Sequence, residues 1–118
     1  MAVYKAECSH RTVPAETLIE MLRTAASVED DIRITGSSDY PCLALLVNNN
    51  DTVLHYFGDE SDTGSISVGD SSRYGQTVIF GDIELDRQYA VSRETAAECV
   101  KLFIQNGSRP RNIQWAEL

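Results

Sequence analysis

Apolar residues recur at helical spacing from Val13 to Ala26, where Leu18, Met21, Leu22 and Ala25 share one face and Glu16, Glu20 and Arg23 largely avoid it. Such a stripe predicts a helix lying on a core. Pro14 suits its first turn, and Glu16 suits the positive end of the helix dipole. The period then changes to two. Ile32 and Ile34 alternate with Arg33 and Thr35, and after a turn-like stretch from Gly36 to Pro41 a continuous apolar strand runs from Leu43 to Val47. An unbroken apolar strand predicts burial on both faces, hence a central position. Asn48 to Asp51 supplies a tight reversal, and Thr52 to Phe57 returns as a β-branched and aromatic strand, completing a hairpin.

Gly58 to Gly75 is rich in Gly, Ser and Asp and contains one short alternating piece, Ser65 to Val68, so loop, short strand and loop are expected. Strands follow at Thr77 to Phe80, Ile83 to Leu85 and Gln88 to Val91, separated by Gly81-Asp82 and Asp86-Arg87. A meander is the economical topology for them. Ser92 is placed to cap a second helix, with Glu94 in its first turn, Ala96, Val100, Phe103 and Ile104 facing inward, and Asn106-Gly107 stopping it before Pro110. Asn112 to Trp115 resumes alternation as a final strand. The element order predicts an α+β fold, a mainly antiparallel β-sheet of about six or seven strands with two helices packed on it. Both helices on the apolar side is the simpler arrangement, and one on each face is the alternative.

The length of 118 residues matches one domain, 1–118. The formal net charge of −8 repels phosphate backbones, so direct nucleic-acid binding is not expected, whereas a basic protein partner fits. The amino-terminal stretch from Met1 to Arg11 has no apolar core, and the longest apolar run, Cys42 to Val47, is far too short to span a bilayer. No secretion or membrane insertion is expected. Cys8, Cys42 and Cys99 are odd in number and widely spaced, which predicts reduced thiols in a cytoplasmic protein.

Catalytic chemistry finds little support. His10 and His55 are isolated and no spacing resembles a zinc signature, so no metal is expected. Cys99 with His55 and an aspartate would make a nucleophilic trio, but Cys99 falls on the inward side of the second helix. The glycines at 58, 64, 69, 75 and 81 form no phosphate-cradling pattern. Neither cofactor nor small-molecule substrate is implied. The acidic residues Asp59, Glu60 and Asp62, then Asp82, Glu84 and Asp86, with Asp70 between them, read either as charges guarding a sheet edge or as a surface for a basic partner. Tyr74, in a polar loop beside Arg73, is the aromatic best placed for an interface, while Trp115 is expected in the core.

Several segments resemble immunity protein family 1 of bacterial polymorphic toxin systems. Tyr40-Pro41 before Leu43 to Val47, Leu54-His55-Tyr56-Phe57, Ser67-Val68-Gly69-Asp70 and Thr77 to Phe80 are similar to the family's central section. Glu94-Thr95-Ala96, Phe103, Gly107, Pro110, Ile113, Trp115 and Glu117 resemble its closing pattern, with Ser92 where proline is common. The resemblance implies a non-enzymatic antidote to a secreted toxin, frequently a nucleic-acid deaminase, held inactive by occlusion of its active site or substrate cleft. An adaptor or chaperone for a secreted effector is the alternative, and an enzyme using Cys99 or His55 comes third.

Overall fold

The computed structural model describes residues 3–25 and 28–118. Its strands are β1 (Lys5–Glu7), β2 (Thr12–Pro14), β3 (Glu29–Thr35), β4 (Cys42–Asn48), β5 (Asp51–Phe57), β6 (Ser65–Val68), β7 (Thr77–Phe80), β8 (Ile83–Asp86) and β9 (Gln114–Glu117), with helices α1 (Ala15–Thr24) and α2 (Arg93–Asn106). Seven strands form one antiparallel sheet in the order β2-β1-β3-β4-β5-β6-β9, and β7 and β8 form a separate two-stranded sheet. The α+β expectation holds, and β4 is the middle strand of the seven.

Alternation along the strands divides the interior into two layers. On one side Ile32, Ile34, Leu43, Leu45, Val47 and Leu54 pack against Leu18 and Leu22 of α1 and Ala96, Val100 and Phe103 of α2. Both helices therefore cover the same face, and Arg23 of α1 ties them together through Glu94 and Glu98 of α2. On the other side Leu46, Val53 and Ile66 meet Val78 and Phe80 of β7 and Ala90. The β7–β8 hairpin lies over the second face instead of extending the sheet.

That placement corrects the meander. Gln88 to Val91 is not a strand: Arg87–Tyr89 is a turn of 3-10 helix, capped by the Asp86 side chain accepting from Gln88 N. Val91 then exchanges two backbone hydrogen bonds with Thr52, at 2.8 and 2.9 Å. The segment wedges in where β6 turns away from β5, and Gly69 N donates to Gln88 O at 2.8 Å. A Cβ on Gly69 would sit 1.8 Å from the Ala90 carbonyl oxygen, so only glycine fits there.

The first helix begins two residues later than expected because Thr12 to Pro14 pairs with Lys5 to Glu7 as β2 and β1. Ala26, its expected last residue, lies outside the described residues. Ser92 caps α2 by accepting from Thr95 N at 3.1 Å, and Gly107 ends it at φ 66°, both as anticipated. The final strand is shifted to Gln114–Glu117 because Asn112 instead accepts from the Cys99 thiol and Trp115 Nε1 donates to Pro110 O. Trp115 packs partly buried against the helix-side core, edge-on to Tyr56.

Phe103 is fully buried, with Tyr4 and Tyr56 both edge-on to its ring. Phe103→Ala is expected to lower unfolding free energy in denaturant titration by about 3–5 kcal/mol. Gly69→Ala is expected to cost about 3 kcal/mol or more in the same titration, because the backbone at Ala90 must move to admit the methyl group.

Candidate functional site

The loop carboxylates show what they do at home. Asp59 accepts from Ser61 N and Oγ at 2.9 and 2.8 Å, and Asp62 from Gly58 N and Gly64 N, both at 2.8 Å. Asp70 accepts from Ser72 N and Oγ, while Asp86 accepts from Gly75 N at 2.9 Å and Gln88 N at 3.0 Å. Backbone donors hold the Asp62 carboxyl below its ordinary pKa, and Ser72 does the same for Asp70. These four residues are turn builders, each using a short carboxylate to satisfy loop N–H groups that have no ladder partner. Glu60, Asp82 and Glu84 are exposed and take no hydrogen bond among the described residues.

The anticipated surface separates into two. Asp59, Glu60 and Asp62 follow Phe57 at one end of β5, whereas Asp82 stands at the hairpin tip near Asn48, at the other end. Seven strand residues, about 20 Å at 3.3 Å per residue, lie between those ends. Asp70, Tyr74, Glu84 and Asp86 group with the hairpin. Its base is clamped to the sheet by Asp51, which pairs with Arg73 at 3.3 Å and Arg87 at 3.4 Å. Nearer its tip, Asn48 Nδ2 donates to Ile79 O at 2.7 Å.

The hairpin is amphipathic in a particular way. Val78, Phe80 and Leu85 turn inward and close the core, while Ile79, opposite Glu84, is 56% exposed and Tyr74 is 75% exposed. Ile83 beside the tip is 40% exposed. Large apolar side chains set among carboxylates are the composition of a protein interface, anchors with a polar rim. The sequence signal for Ile79 was masked, because an apolar residue in a short strand reads as core.

A cleft of about 280 Å³ opens between the hairpin tip and the ends of β3 and β4. Leu46, Phe80 and Ile83 line it together with Asp30, Asp31 and Asp82. Asp30 and Asp31 were not among the anticipated site residues. They stand at the start of β3, where alternation drew attention to the isoleucines.

Cys99 and His55 are not brought together as a nucleophilic trio would require. Cys99 is fully buried on the helix side, and its thiol, driven up by burial to about 11, donates to Asn112 Oδ1 at 3.3 Å. His55 alternates onto the hairpin side, stacked on Phe57, so the sheet stands between the two residues. Among the described residues no three of His, Cys, Asp and Glu gather as a metal site would require, and no helix is long and apolar enough to cross a membrane.

Over 108 aligned positions, covering 87% of this chain and 88% of the other, the chain is 24% identical to the double-stranded DNA deaminase immunity protein of Burkholderia cenocepacia, strain H111. No protein-family model matches. The similarity agrees with the resemblance read from the residues, to immunity proteins of deaminase toxin systems.

Two measurements bear on the side chains just described. Native protein at about pH 8 is expected to react with a thiol reagent through Cys8 and not through Cys42 or Cys99, all three reacting in denaturant. Fast native labelling of Cys99 would reopen the cysteine-enzyme reading. Desolvation lowers the pKa of His55 below its ordinary value, against a smaller opposing pull from Asp31, so the folded state binds protons less readily than the unfolded chain. Its contribution to stability is complete above the ordinary histidine range and is lost as pH falls through the lowered pKa. His55→Phe is therefore expected to show a smaller loss of stability than the native sequence between about pH 7.5 and 5.5, measured by denaturant titration.

Proposed function

We propose that this chain is an immunity protein that binds a cognate deaminase toxin and neutralises it by occluding its active site or substrate cleft. The observation that carries the reading is the likeness to a deaminase immunity protein along nearly the full length of both chains. The structure is of a kind that suits it. A deaminase acting on DNA must present a basic surface to phosphates, and a chain of net charge −8 is electrostatically complementary to such a surface. The reading assigns the protein no reaction, no cofactor and no nucleic-acid contact of its own, and it places the work in the cytoplasm of the producing cell.

The hairpin face is the best-formed contact surface, with Tyr74 and Ile79 as anchors and Asp82, Glu84, Asp70 and Asp86 around them. The Asp59, Glu60 and Asp62 loop is a second, outlying contact for a partner that spans the sheet. Burial of the two exposed anchors gives affinity, and the carboxylates speed encounter.

The test is a deamination assay on duplex DNA with the toxin domain encoded beside this chain. Stoichiometric wild-type protein is expected to abolish uracil formation. Tyr74→Ala and Ile79→Asp are each expected to weaken the complex by about tenfold or more while leaving the melting temperature unchanged. Undiminished deamination with wild-type protein in excess would overturn the reading. Loss of toxin export without loss of cell survival when the gene is deleted would favour an adaptor instead.

A further inference from the structure

We propose that the cleft beneath the hairpin tip receives one cationic side chain, an arginine or lysine, from the toxin; this rests on the immunity reading above. At about 280 Å³ the cleft is near the lower end of the range of about 300–1,000 Å³ usual for small-molecule pockets and has room for a single long side chain. Leu46, Phe80 and the exposed Ile83 offer an apolar lining, against which the aliphatic stem of an arginine or lysine packs. Asp31, on the hairpin side of β3, and Asp82 at the tip supply carboxylates for its charged head.

Those carboxylates have no cation beside them, whereas several others in the chain are ion-paired. Asp51 is paired with Arg73 and Arg87, Glu94 and Glu98 with Arg23, and Glu117 with Arg109. Asp30, Asp31 and Asp82 form no ion pair among the described residues, and no Lys or Arg lines the cleft. Asp30 is also held in place. Ser9 N, Ser9 Oγ and Asp31 N all donate to its Oδ1, which leaves Oδ2 without a protein partner. Asp30 thus stands on the opposite face of β3 from Asp31 and is engaged by Ser9, which leaves Asp31 and Asp82 as the acceptors for a charge-assisted hydrogen bond from the cleft. A bare metal ion fits the cleft less well, since among the described residues no three of His, Cys, Asp and Glu gather as ligands of one centre would.

The experiment is calorimetric titration of the toxin domain encoded beside this chain with wild-type protein, Asp31→Asn, Asp82→Asn and the double variant. Neither side chain makes a hydrogen bond or ion pair among the described residues, so unchanged melting temperatures are expected and serve as the control for folding. Each substitution is expected to weaken binding about tenfold, and the pair about a hundredfold, with the loss abolished against one toxin variant in which a single arginine or lysine is replaced by methionine. A double variant that binds within about threefold of wild type would overturn the cleft assignment while leaving the immunity reading intact. Failure of wild-type protein to bind or inhibit the toxin would instead overturn the immunity reading itself.

Discussion

Burial of β4 on both faces is the constraint from which the rest of the structure follows. Leu43, Leu45 and Val47 on one side and Leu46 on the other cannot be satisfied by a single covering layer. The two helices cover the first face and the β7–β8 hairpin the second. The hairpin is thus required by the core before it serves any partner, and its inner residues, Val78, Phe80 and Leu85, belong to the folding problem. Only its outer side and tip are left free for recognition.

This division of labour leaves the outer side of the hairpin free to carry the proposed contact surface. The hairpin is tied to the sheet by Asp51, which pairs with Arg73 and Arg87, and by Asn48, which donates to the Ile79 carbonyl. Ile79 is displayed on a hairpin anchored to the sheet, and Tyr74 on the turn that leads into it. The acidic residues serve two different ends. Asp59, Asp62, Asp70 and Asp86 spend lone pairs on loop N–H groups, while Asp31, Asp82, Glu60 and Glu84 keep theirs for solvent or a partner.

The parts legible in the sequence are those set by local rules. The Asn48 to Asp51 reversal, the Ser92 cap and the Gly107 stop each depend on a few adjacent residues, and each stands as expected. Strands β1 and β2 were missed because three-residue strands with mixed composition carry no periodic signal. Gln88 to Val91 has strand composition, yet the Asp86 cap winds its start into a 3-10 turn. Sheet membership is a long-range property, so nothing in Thr77 to Asp86 announces that these strands leave the main sheet. The candidate site divides in the same way. Tyr74, Glu84 and Asp82 are exposed as their surroundings suggested, but the cleft arises only when Asp30 and Asp31 of β3 meet the tip of a hairpin some fifty residues later.

Amide hydrogen exchange of the chain, alone and saturated with the proposed cognate toxin domain, tests most directly the claim that the hairpin side carries the contact. The account predicts new protection across residues 74–86 and 30–31, with β9 and the outer faces of α1 and α2 unchanged. Protection confined to the helices or to β9, with the hairpin exchanging as in the free protein, would contradict it.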